Sequence, residues 1–174
     1  MVIAHRLSAA ISTLPNTEAW LQAAALLLFF TILALPIGFH LRFIKFEVLK
    51  ASWGTITGIL VTSFFMPAVT EELFFRVLLL PRTPEHVSVS LLWFWGCISL
   101  VMFIVYHPLN ALTFFPRGRK TFFEIPFLLL AALVGIFCSF AYIQSDSLWT
   151  PVLIHWLAVV VWLLFLGGYT KLYG

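Results

Sequence analysis

Charge is scarce in this sequence. Only 10% of its 174 residues are Asp, Glu, Lys or Arg, against about 25% in soluble domains. A chain this poor in charge has too little polar surface to stay dissolved as a globule. Aspartate is rarer still. Asp146 is the only one, which excludes a paired-aspartate protease. The two cysteines, Cys97 and Cys138, lie inside apolar runs and provide neither a disulfide framework nor a metal spacing. No G-x-S-x-G nucleophile elbow occurs, no H-E-x-x-H zinc helix, and no glycine-rich phosphate loop. There is no internal repeat or low-complexity stretch, and no cleaved leader or lipidation box is expected.

What the chain has instead is apolar length. Hydrophobic residues make up 62% and aromatic residues 17%. Crossing the hydrocarbon core takes roughly 20 apolar residues in a helix. The runs from Trp20 to Phe39, Ser52 to Leu80, Val87 to Tyr106, Phe122 to Ile143 and Leu148 to Leu166 approach that length. Leu41 to Lys50 is shorter and amphipathic, and is expected to lie at the interface. The runs are continuously apolar rather than alternating, so helices and not a transmembrane barrel are predicted. The expected fold is an all-α, multi-pass transmembrane helical bundle of five to six spans. It forms a single integral membrane domain over residues 1–174, with its active site inside the bundle.

The formal charge of +3 gives no nucleic-acid signal, because the cations cluster between apolar runs. Arg42, Lys45 and Lys50 form one cluster, Arg117, Arg119 and Lys120 another, and Lys171 lies in the tail. The positive-inside rule places these in the cytoplasm, so five spans put the N-terminus outside and the C-terminus inside. Pro81-Arg82-Thr83-Pro84, Pro116-Arg117-Gly118 and Ser145-Asp146-Ser147 read as breaks between spans. Thr150-Pro151 reads as an N-cap followed by a first-turn proline.

Ionisable groups inside spans are costly unless paired or solvated, so they mark function. Here they are Glu71, Glu72 and Arg76 in one run, His107 at the end of the next, and His155 in the last. His5, His40 and His86 fall at helix ends or outside the spans. Glu72 and Arg76 are four apart and share a helix face, acid first, the better order for an ion pair. Glu71 is turned about 100° away and has no local cation, which leaves it available as a general base. On spacing alone the three could equally form one salt-bridged knot between helices. His107 follows Phe103 by four residues, and Pro108 is expected to end or kink the helix there.

One straight helix over Ser52 to Leu80 would put Glu71 about 29 Å from its inner end, out of reach of His107. A break near Met66-Pro67 is therefore expected, with Glu71 near the start of a new helix. Glu71, His107 and His155 could also bind a metal, although three ligands on three helices give no local support for it. A proton-coupled carrier is a further reading of the same residues. The missing inverted repeat counts against it.

Glu71-Glu72-Leu73-Phe74-Phe75-Arg76 matches E-E-x-x-x-R, with Pro67 upstream, and Phe103-Ile104-Val105-Tyr106-His107 matches F-x-x-x-H. Ser147-Leu148-Trp149-Thr150-Pro151 leads to His155 in the last helix. Over about residues 52–166 the chain thus resembles the CAAX-protease and bacteriocin-processing family (CPBP, or Abi) of intramembrane glutamate endopeptidases. The resemblance implies an endopeptidase that hydrolyses peptide bonds of a membrane-associated or prenylated protein or peptide. Glu71 would activate water with His107, and His155 would stabilise the oxyanion. Glu72, Arg76 and Phe103 would support them, with no metal or other cofactor. The implied partners are the lipid bilayer and that substrate, not nucleic acid, in the cell membrane or an internal one. In one respect the chain departs from the pattern. Four residues after the last His the family carries Asn, which is thought to complete the oxyanion hole, and here stands Val159. Losing one such donor typically costs ~10²–10³ in rate. Asn110, Trp156 and Tyr106 are replacements by residue type. The alternative is a catalytically inactive member acting as a membrane scaffold or immunity protein.

Overall fold

A computed structural model of the chain describes residues 2–82 and 87–174. His86 and the Thr83-Pro84 part of the first predicted break lie outside the described residues. Seven helices account for most of the rest. They are α1 (Val2–Ser12), α2 (Thr17–His40), α3 (Trp53–Leu78), α4 (Val89–Thr113), α5 (Ile125–Ser145), α6 (Trp149–Phe165) and α7 (Gly168–Tyr173). One-turn helices at Pro116–Gly118 and Arg119–Phe122 link α4 to α5. Helices α2 to α5 are long and apolar enough to cross a membrane, and α6 is a shorter apolar helix of 17 residues. The chain is an integral, multi-pass, all-helical membrane protein. Large apolar side chains such as Leu28, Phe29, Ile32, Trp93 and Phe94 point outward, as lipid contact requires.

Helix α5 is central and packs against α2, α4 and α6. The first half of α3 rests on α6. Phe75, Phe103, Cys138 and Ile154, from four helices, share one core cluster. The connections sort to two ends. At one end Lys171 Nζ meets Glu124 at 3.0 Å, and Thr121 donates to the Lys171 carbonyl. At the other, Leu148 N–H donates to the Ala10 carbonyl and Ser147 Oγ to that of Thr13. The cation clusters at 42–50, 117–120 and 171 belong to the first end, which the positive-inside rule assigns to the cytoplasm.

Two local expectations are corrected and a third is narrowed. Residues 43–49 form an extended strap, not an amphipathic helix. The backbone N–H groups of Glu47 and Leu49 donate to the Phe165 and Leu164 carbonyls at 3.0 and 2.8 Å. These carbonyls close the end of α6 and have no partner within their own helix, so they draw the strap alongside. Gly38 permits the fold-back, because a Cβ there would lie 2.7 Å from Ile44 Cδ1. Of the two outcomes expected at Pro108, an end or a kink, the first is excluded, since α4 runs on to Thr113. Membrane helices tolerate such prolines when side chains take up the freed carbonyls. Pro108 leaves the Ile104 carbonyl without its helical N–H, and in the same turn the His107 ring bonds the Phe103 carbonyl. Thr150 is not a cap but lies within α6, where its hydroxyl donates to the Ala141 carbonyl. Ser147 Oγ instead accepts from Trp149 N–H at the helix start.

Helix α1 closes the cation-poor end. Arg6 donates from Nη1 to the Leu78 carbonyl at 3.0 Å and from Nη2 to that of Leu80 at 2.9 Å. A cation is favoured at a helix carboxyl end, and two part-buried hydrogen bonds fix it there. Arg6→Ala is expected to cost about 1–3 kcal/mol. It would be read as a lowered Tm in detergent, with Arg6→Lys falling between the two.

Candidate active site

The site begins at the break in α3. A residue before proline is pushed out of the helical region, and Met66 is extended at φ −133°, ψ 108°. The Met66–Pro67 peptide is cis. The helix resumes from Pro67, which suits the first helical position because it lacks an N–H. The turn over Leu73–Leu78 is wider than an α-helical one, with i→i+5 geometry. Glu71 and Glu72 fall between the break and this wide turn. The break expected near Met66-Pro67 is therefore present, and it brings Glu71 beside His107.

Arg76 anchors this segment. It is 1% exposed and Glu72 is fully buried. Arg76 Nε lies 3.1 Å from Glu72 Oε2, an ion pair whose angle falls short of a hydrogen bond. Nη2 donates to the Gly135 carbonyl of α5 at 2.9 Å. The guanidinium sits 4.5 Å from the centre of the Phe103 ring, a cation–π distance. Gly135 makes this approach possible. A Cβ there would lie 3.2 Å from Arg76 Nη2 and 3.1 Å from Phe103 Cδ1.

Glu72 has a second partner that no spacing announced. Its Oε1 accepts from Nδ1 of His155, 83 residues away, at 2.7 Å. His107 Nδ1 pairs with the Phe103 carbonyl at 2.8 Å. A carbonyl and an ion-paired carboxylate can only accept, so both Nδ1 atoms carry the proton. Each ring therefore turns Nε2 toward Glu71. Glu71 Oε2 lies 4.0 Å from His107 Nε2 and 3.9 Å from His155 Nε2. Among the described residues this buried oxygen has no hydrogen-bond partner. Such separations are too long for direct hydrogen bonds but suit a bridging water. Phe103 wedges the two imidazoles, with ring centres at 4.9 and 5.9 Å. No group of three His, Cys, Asp or Glu among the described residues has metal-binding geometry.

The three groups sit in the wall of an apolar cavity of about 780 Å³ bounded by α2, the first half of α3, α4, α5, α6 and α7. A smaller cavity of about 280 Å³ shares Thr70, Glu71 and Tyr106 with it and adds Phe74 and Phe75. Val159 lines the larger one. Of the three replacement candidates, Trp156 is committed elsewhere, since its Nε1 donates to the Leu60 carbonyl at 2.9 Å. Asn110 and Tyr106 line the cavity. Sequence reasoning missed the Glu72–His155 bond and the role of Gly135. The only prior signal for the glycine was its place mid-helix, where glycine is otherwise unfavourable.

Compared with known proteins, residues 52–161 match the family model described as type II CAAX prenyl endopeptidase Rce1-like. No curated protein and no solved structure matches the chain.

Proposed function

Because the chain belongs to the Rce1-like family of type II CAAX prenyl endopeptidases, and is thereby a CAAX-type protease of the membrane, we propose that it cleaves its protein substrate by glutamate-based hydrolysis with Glu71 as the general base. One observation carries this reading: a single Glu71 oxygen lies within 4.0 Å of Nε2 on two histidines from two other helices. Residues 1–174 act as one membrane domain in this reading.

The steps use only these side chains. A water held between Glu71 and His107 gives a proton to the Glu71 carboxylate as its oxygen attacks the scissile carbonyl carbon. The tetrahedral oxyanion is held by His155 when its Nε2 carries a proton, and the Glu72 carboxylate at Nδ1 balances the charge. Glu71 then passes its proton to the leaving nitrogen as the C–N bond breaks. The products are a carboxylate and a free amine. Glu72, Arg76 and Phe103 hold the centre in register.

The apolar lining supports a lipid-carrying substrate, in line with the prenyl endopeptidases of the family. The test is cleavage by purified protein of matched prenylated and unprenylated peptide libraries, with and without a metal chelator. Prenylated peptides should be cleaved with KM lower by about tenfold or more, since each buried CH₂ contributes about 0.8 kcal/mol. Cleavage should survive chelation. Equal KM for both libraries would sink the lipid assignment, and loss on chelation the metal-free one.

Val159 favours a second reading, an inactive scaffold or immunity protein, because it brings only aliphatic surface to the cavity. That reading expects no cleavage from well-folded protein, and a biological activity that survives Glu71→Gln.

A further inference from the structure

We propose that Asn110 binds the peptide backbone of the substrate, fixing the residues beside the scissile bond; this rests on the endopeptidase reading above. On α4 the residues Phe103, Tyr106, His107, Asn110 and Phe114 all line the large cavity at helical spacing. Asn110 is one turn beyond His107. It is the one side-chain amide among the described residues that line the cavity.

The serine and threonine hydroxyls there are already used, and Trp162 Nε1, unpaired among the described residues, is a donor with no acceptor beside it. Thr62, Ser63 and Thr31 turn their hydroxyls back onto carbonyls of their own helices. Thr70 does the same to the Pro67 carbonyl. The Asn110 carbonyl accepts from the N–H groups of Phe114 and Phe115, but among the described residues its side-chain amide forms no hydrogen bond.

Asn110 is half-buried, and a ligand that fills the cavity would take its amide out of water at a cost unless the ligand pairs with it. Its chemistry matches one ligand group closely. An Asn side chain offers both a donor and an acceptor, the complement of a peptide group. Neighbouring positions one turn apart on a helix are about 5–6 Å apart. An extended peptide advances about 3.3 Å per residue. Asn110 therefore meets a peptide group one to two residues from the bond placed at Glu71. Beyond it the wall becomes aromatic, at Phe114 and Phe115, and suits an apolar chain rather than backbone. The peptide part of the substrate thus lies between Glu71 and Asn110.

The test measures binding without turnover. The full-length Glu71→Gln protein is titrated with fluorescent peptides carrying an S-farnesyl cysteine four residues from the C-terminus. Each backbone nitrogen is methylated in turn, and the series is repeated with Asn110→Leu added, which keeps the size but removes donor and acceptor. Asn110→Ala replaces it if the leucine variant fails to fold. N-methylation at one position should weaken binding to the Asn110 protein by about tenfold, the effect of one lost hydrogen bond. The same methylation should leave the Asn110→Leu protein unaffected, which is the coupling expected only of groups in contact. Losses that are equal in both proteins at every position overturn the proposal. If no peptide binds, it falls together with the assignment of the cavity. If peptides bind and couple to Asn110 while wild type cleaves none of them, the endopeptidase reading fails and Asn110 still contacts peptide.

Discussion

Glu71→Gln is expected to lower cleavage by about 10³-fold or more while leaving the protein folded, since a positioned general base contributes roughly 10²–10⁴ and the substitution leaves no carboxylate to take the water's proton. The environment of Glu71 makes this a clean experiment. Its Oε2 has no hydrogen-bond partner among the described residues, so the substitution breaks no bond at that oxygen. Gln is nearly isosteric, so the cavity wall keeps its shape. Tm in detergent should stay within a few degrees of wild type, and farnesylated peptide should still bind. His107→Ala should also impair turnover, but it removes the ring that bonds the Phe103 carbonyl beside Pro108 and so disturbs α4 as well. Glu71 is therefore the sharper probe. Unchanged cleavage by folded Glu71→Gln would remove it from the mechanism.

The parts of this molecule that were legible in the sequence are those set by local rules. Five apolar runs became five apolar helices because lipid leaves the backbone no partner outside its own segment. The break at Met66 was legible because a straight helix could not bring Glu71 to His107, and Pro67 offered a local place to bend. The Glu72–Arg76 pair followed from i,i+4 spacing. The strap at 43–49 was not legible. Its apolar and charged residues suit an interfacial helix, and only the carbonyls of Leu164 and Phe165, more than a hundred residues on, favour the extended form. Whether α4 would end or run on at Pro108 was left open for a similar reason, since a proline can do either and the packing of the bundle decides. Within the site, the bond from His155 to Glu72 depends on α6 lying against the second half of α3. Periodicity within either run says nothing about that packing.

That bond changes what Arg76 should do. With spacing as the only guide, Arg76 neutralises one glutamate. In the folded protein it neutralises Glu72, ties α3 to the Gly135 carbonyl of α5, and stacks on Phe103 of α4, while Glu72 in turn holds His155 of α6. Four helices meet through one guanidinium. Arg76→Ala should therefore be severe, about 3–5 kcal/mol, because it leaves a fully buried carboxylate without its cation. The expected result is a large loss of folded, monodisperse protein. Arg76→Met combined with Glu72→Gln removes both charges and keeps most of the volume. Replacing a buried ion pair this way is often neutral or better, so the double variant should recover folding. Its cleavage should not recover. The neutral amide that replaces the Glu72 carboxylate has no charge to balance a protonated His155, so oxyanion stabilisation fails even where the fold is restored. Folded yield together with cleavage in the single and double variants checks both halves. If the double variant regained folding and full cleavage, Glu72 would be a structural counter-ion only, and His155 would need no carboxylate behind it.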